Sequence, residues 1–217
     1  MKLPFFYMPL HLHTFPNAHT QLLVWSIDES KETLLKNVSL TNLSESRLLS
    51  MKSELHQRAF LSVRQLLLHL GYTDADLYYD ATGKPHLRDG NFISISHSHQ
   101  LAVVLVSNQA VGVDVELVRD KVAKIGPKFC ATELQFLAPD LTTETERLTV
   151  IWGAKEAVFK VVNREGISYK DHIFVAPFDL ISAETTATLA LDSLPRQFAV
   201  QYQLLADYAL VYTFETT

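Results

Sequence analysis

A long helical pattern followed by a run of short β-rich segments occurs twice in this chain, and that order restricts the possible folds more than composition does. The first helical stretch opens at Ser44, carries Glu45 in its first turn, and stops at Gly71 after Leu70. Leu48, Leu55, Leu61, Leu66 and Leu70 supply its apolar face. Strand candidates follow at Leu77–Tyr79, Phe92–Ser96, Leu101–Ser107 and Val111–Glu116, and a further β-rich segment, Gln21–Asp28, precedes the helix. In the second half, a short helix at Thr132–Leu137 and a long one at Glu144–Asn163 lead into strands at His172–Val175, Ala187–Leu191, Phe198–Leu205 and Tyr208–Phe214. The implied fold is α+β with α/β-type halves: two similar subdomains, each a long helix packed on a small, mostly antiparallel sheet. The break falls near 107–111, giving subdomains 1–108 and 109–217 with an active site at their interface.

With 217 residues, 47% of them hydrophobic and 20% charged, the chain can bury a core and is not disordered. Seven glycines are about half the average usage of roughly 7%. No two are close enough to spell G-x-G, so dinucleotide and Walker phosphate loops are absent and side chains must hold any phosphate. One cysteine, Cys130, makes no internal disulfide, which favours a cytoplasmic setting. Pro4 and Pro9 interrupt the apolar opening segment, which is too short and broken for a signal peptide or a membrane span. A formal net charge of −5 argues against general nucleic-acid binding.

The strongest local signal is Gly112-Val113-Asp114-Val115-Glu116. The strand period of two puts Asp114 and Glu116 on one face and turns Val113 and Val115 to the other. An ordinary half-exposed strand would also read this way. On the second long helix, Trp152, Glu156 and Lys160 are four residues apart and share a face, while Lys155 and Glu156 sit among Ile151, Trp152, Val158 and Phe159. Charges there are costly unless paired or placed in a cleft. Should Asp114, Glu116 and Glu156 converge, they form an oxygen site of the kind that holds Mg²⁺ together with water and phosphate. Such a site points to a phosphorylated substrate, with Lys160 as a further positive charge. A third piece is the turn Thr82-Gly83-Lys84-Pro85, followed by Phe92 to His99, in which Ser94 and Ser96 share a face and His97 ends the strand. A surface role for His97, or a metal pair with His99, stays open.

With these segments in this order, the sequence resembles the Sfp-type 4′-phosphopantetheinyl transferases. Gly112 to Glu116 and Trp152 to Lys160 fill the two signature positions. Gly83-Lys84-Pro85, Ser96-His97-Ser98 and the element Phe129 to Glu133 fill three more, so the likeness covers about residues 44 to 175. The resemblance implies two similar halves with coenzyme A between them. It also implies Mg²⁺- or Mn²⁺-dependent transfer of 4′-phosphopantetheine to a serine of an acyl or peptidyl carrier protein, releasing adenosine 3′,5′-bisphosphate. Carried over by position, Asp114, Glu116 and Glu156 are metal ligands, and Glu156 or a metal-bound water deprotonates the serine. Lys160 contacts the pyrophosphate and assists the leaving group. Lys84, Pro85, Ser96 and His97 hold the nucleotide end, Arg58 matches a basic position of the family, and Arg47 matches a phosphate-contacting lysine. Gly153 stands where many members have Ser, Cys or Thr, and a close approach by substrate or backbone would explain it. Arg119, Lys121, Lys124 and Lys128 are either a solvated helix face or a docking patch for an acidic carrier. A lapsed homologue that only binds carriers and a metal-dependent phosphohydrolase are the competing readings. A site formed within one chain points to a monomer.

Overall fold

A computed structural model describes residues 9–137 and 141–216; the first eight residues of the broken apolar opening lie outside the described residues. The first half contains β1 (Leu10–Asn17), β2 (Thr20–Ser26), α1 (Lys31–Leu35), α2 (Asn42–Ser50), α3 (Glu54–His69), β3 (Leu77–Tyr79), β4 (Pro85–Leu87), β5 (Phe92–Ser98) and β6 (Leu101–Ser107). The second half contains β7 (Val111–Leu117), α4 (Asp120–Phe129), a 3-10 turn (Thr132–Phe136), α5 (Leu141–Val162), β8 (Ile173–Val175), β9 (Glu184–Leu189), β10 (Arg196–Leu205) and β11 (Tyr208–Thr216). The strands form a four-stranded sheet, β1-β2-β6-β5, a five-stranded sheet, β7-β11-β10-β9-β8, and the hairpin β3-β4, with antiparallel pairing throughout. The fold is therefore α+β, as the element order implies. No helix among the described residues is long and apolar enough to cross a membrane.

The first long helix is in fact two. Met51 is extended, and Ser53 starts a new helix by accepting a hydrogen bond from the backbone N–H of His56 at 3.4 Å. Thr41 does the same for α2 through Ser44 N–H at 3.3 Å. A capping serine inside an apolar helical pattern breaks the helix because its hydroxyl offers the backbone a competing partner. The stop at Gly71 holds, with φ at +84° just past the end of α3. Strand β9 begins three residues earlier than the apolar pattern implies, because the β-branched Thr185 and Thr186 extend it. The edge strand β1 had no apolar run to reveal it, since its residues alternate half-buried with exposed.

Alternation along the central strands divides the interior. Leu23, Trp25, Ala102 and Val104 face α3, whereas Leu22, Val24, Val103 and Leu105 face the other way, onto Val111, Val113, Val115 and Leu210. The two sheets thus meet through one apolar seam. Val113 and Val115 belong to that seam, so the period of two aims Gly112, Asp114 and Glu116 at the opposite face of β7, where α5 lies.

α5 lies very close to β7. A Cβ on Gly112 would stand 1.9 Å from the carbonyl oxygen of Ala157, and one on Gly153 would stand 2.8 Å from Cγ2 of Val211. The helix and sheet can meet only because both positions lack a side chain. Gly112→Ala is expected to cost about 3 kcal/mol or more, at the upper end for overpacking. Gly71→Ala, which meets no atom within 4 Å and carries only backbone strain, should cost about 1–2 kcal/mol. Urea unfolding midpoints of the two variants check the order.

Candidate active site

The two lysines of α5 do different things. Lys155 is fully buried, its Nζ pairs with Glu133 at 2.6 Å, and it donates to the carbonyl oxygens of Phe129 (2.8 Å), Tyr169 (2.9 Å) and Ile173 (2.6 Å). Burial pushes its pKa down, and Glu133 pulls it back. Glu133 is itself held by the backbone N–H groups of Ala131 (2.9 Å) and Val175 (3.1 Å). This cluster ties the 3-10 turn, the α5–β8 loop and β8 to the middle of α5. The charge beside Glu156 is thus a paired core charge, turned away from the cleft.

One residue further on, a 100° step around the helix carries Glu156 to the side facing β7. One turn beyond, Lys160 donates to Asp114 Oδ1 at 2.8 Å and to the carbonyl oxygen of Val113 at 2.9 Å. Asp114 is 4% exposed; its Oδ1 also accepts from the Ser96 hydroxyl at 2.6 Å, and its Oδ2 is buried without a hydrogen-bond partner among the described residues. Glu116 accepts from Ser98 Oγ at 3.0 Å. Burial first, and the Asp114 charge second, push the carboxyls of both Glu116 and Glu156 above their ordinary range. Ser98 and the Trp152 indole partly offset this at Glu116, as Lys160 and Tyr169 do at Glu156. Three mutually repelling carboxylates, offset only in part by the Lys160 ammonium and with one oxygen of Asp114 left unpartnered, form a net anionic site. Among the described residues, no group of three or more His, Cys, Asp or Glu side chains closes into a finished metal cage.

Beside the carboxylates lies a cavity of about 510 Å³, lined by Arg47, His56, Phe60, Tyr79, His97 and Lys160 among others. The Arg47 guanidinium sits 4.6 Å from the Tyr79 ring centroid, and the His56 and His97 rings are 6.2 Å apart. His97 is exposed, yet desolvation by the protein packed around its ring, with His56 and Lys160 nearby, lowers its pKa. Pro85 lines this cavity and a smaller neighbour of about 190 Å³, which also touches Lys84. Lys84 donates to the carbonyl oxygen of Val161 at 2.8 Å, capping the end of α5 from the other half. Its ammonium is half-buried and its pKa is lowered by that burial.

The expected site residues therefore divide. Asp114, Glu116, Glu156 and Lys160 come together, and Arg47, Pro85 and His97 line the adjoining cavity. Ser96 reaches the same cavity but spends its proton on Asp114. Arg58 lies apart: it is not among the cavity-lining residues and donates to the carbonyl of Glu29 at 3.4 Å. His99, with φ at +49°, sits in the turn after β5 and joins no metal cluster among the described residues. Ser98, the end of the Ser96-His97-Ser98 segment, continues the alternation of Ser94 and Ser96 and meets Glu116. No local pattern marks His56, Phe60 or Tyr79.

Comparison with known proteins shows what the second half of the chain is similar to. Residues 110–213 match the family model described as the 4′-phosphopantetheinyl transferase superfamily. Over 117 residues the chain is 33% identical to enterobactin synthase component D of Salmonella typhi, in a match covering 48% of this chain and 42% of that relative. The matched part is thus less than half the length of the relative. The chain resembles the 4′-phosphopantetheinyl transferases, and the match to their family model spans the half that carries Asp114, Glu116, Glu156 and Lys160.

Removing one partner of a fully buried ion pair leaves the other charge stranded, which costs about 3–5 kcal/mol. Lys155→Met should therefore lower the unfolding free energy by that amount, read from urea unfolding curves, and Glu133→Gln should act in the same direction.

Proposed function

We propose that this chain moves the 4′-phosphopantetheine arm of coenzyme A to a serine of an acyl or peptidyl carrier protein and releases adenosine 3′,5′-bisphosphate. The observation that carries the reading is the buried, unpartnered Oδ2 of Asp114, grouped with two further carboxylates and with Lys160, which also lines the cavity shared with Arg47 and His97. An all-oxygen donor set suits Mg²⁺ or Mn²⁺, so Asp114, Glu116 and Glu156 fit such an ion. The ion, when bound, offsets negative charge on the phosphoryl oxygens.

In this reading the halves 1–108 and 109–217 divide the work. The first half binds the nucleotide end through Arg47, Pro85 and His97, with Lys84 holding the turn against α5. In the second half, Lys160 lies at the cavity edge with its ammonium partly exposed and offsets charge as the leaving bisphosphate departs. The serine Oγ forms a bond to the phosphorus that carries the pantetheine arm as the bridging P–O bond breaks. The electron pair of that bond leaves with the bisphosphate. Glu156 takes the hydroxyl proton. Lys121, Lys124 and Lys128 are exposed on α4, directly after the strand that carries Asp114 and Glu116, and dock an acidic carrier.

Incubation with coenzyme A, Mg²⁺ and an apo carrier tests the reading by mass spectrometry. Gain of one phosphopantetheine group on the carrier serine is expected. Bisphosphate release without that gain would favour hydrolysis, and no reaction would favour a carrier-binding homologue. Asp114→Ala should lower kcat at least about a hundredfold, the scale of losing one electrostatic stabiliser, with the unfolding curve retained as evidence of an intact fold. Charge reversal at Lys121 and Lys124 should raise the KM for the carrier and leave that for coenzyme A unchanged; an unaltered carrier KM would remove the docking role.

A further inference from the structure

Strands β5 and β7 belong to different sheets, yet they run side by side across the seam, joined by serine hydroxyls. Ser94 Oγ accepts from the Val113 N–H at 2.9 Å. Ser96 Oγ donates to Asp114 Oδ1 at 2.6 Å. Ser98 Oγ donates to Glu116 Oε2 at 3.0 Å and accepts from the Leu117 N–H at 3.4 Å. The three serines alternate along β5, and all three are buried, at 3%, 9% and 8% exposure. His97 lies between the last two and, by the same alternation, points the other way.

A hydroxyl has one proton and two lone pairs, so Ser98 can donate to the carboxylate and accept from the backbone at the same time. That pair of bonds sets the direction of its proton and hence the place of Glu116 Oε2. Glutamate otherwise swings about several rotatable bonds, and ordering it for a cation costs entropy that this clamp removes in advance. The clamp comes from the first half, while the carboxylate comes from the second.

We infer that Ser98 is a positioning residue, whose hydroxyl orients the Glu116 carboxylate toward a bound divalent cation, with Ser96 acting likewise on Asp114. This rests on the carboxylate site proposed above. Ser94 is the natural control, because it makes the same kind of cross-seam bond but touches no carboxylate.

The test is Mn²⁺ titration of the substrate-free protein, followed by electron paramagnetic resonance of the free ion. Losing a hydrogen bond to a metal-ligating carboxylate typically weakens metal binding about 10–100-fold. Ser98→Ala should show a loss of that size, and Ser94→Ala should stay within about twofold of the parent. In the loaded enzyme, the apparent KM for Mg²⁺ should rise in Ser98→Ala while that for coenzyme A holds. Equal losses in both variants would mean that seam packing, not the hydroxyl, matters, and would overturn the inference; so would unchanged affinity in Ser98→Ala. Should the alanine variant fail to fold, Ser98→Cys, close in shape but a feeble donor, gives the same comparison. If the parent binds Mn²⁺ no better than Asp114→Ala, it is the carboxylate site itself that fails.

Discussion

The contact between α5 and β7 governs the rest of the molecule. At Gly112 the helix carbonyl of Ala157 occupies the space that any side chain would need, and at Gly153 the helix backbone presses on Val211 of β11. A helix held this close to a sheet cannot slide or rotate without collision, since packed interiors leave no slack for it. Its register is therefore rigid, and with it the positions of Glu156 and Lys160 relative to Asp114 and Glu116. Gly153 also lies near the carboxylate, because a Cβ there would stand 3.7 Å from Asp114 Oδ2.

Around that contact, charge is managed in two ways. The Lys155–Glu133 pair is desolvated completely and made tolerable by five further hydrogen bonds, three to carbonyl oxygens and two from backbone N–H groups. Such a pair adds little net stability over an apolar core but penalises any arrangement in which one partner is lost. The carboxylates of β7 and α5 are treated oppositely. They are left crowded, with proton affinities raised by burial and by one another, and with one oxygen of Asp114 unsatisfied. The core pair is thus fully satisfied, whereas one oxygen of Asp114 is left without a partner among the described residues.

The seam between the halves has the same dual character. Its bulk is aliphatic, from Leu22, Val24, Val103 and Leu105 against Val111, Val113 and Val115, and supplies non-directional cohesion. At its margin, three hydroxyls of β5 add directional bonds to β7. Apolar packing brings the halves together, and two of the hydroxyls, Ser96 and Ser98, hydrogen-bond the carboxylates there.

Much of this was legible in the residues themselves. Period-two alternation at 111–116 separates Val113 and Val115 from Asp114 and Glu116, and four-residue spacing groups Glu156 with Lys160, because both periods follow from backbone geometry alone. Phe129 to Glu133 stood out as an element, but nothing local shows that Glu133 meets Lys155, a partner on another element. Likewise, nothing local shows that Ser96, a lining residue of the cavity, also donates to Asp114, or that Arg58 donates to the carbonyl of Glu29. His56, Phe60 and Tyr79 reach the cavity from segments without a motif. Local periodicity determines which face a residue occupies and which chemistry it can bring. What that face meets depends on how two sheets and two helices pack across tens of residues, and only the tertiary structure decides that.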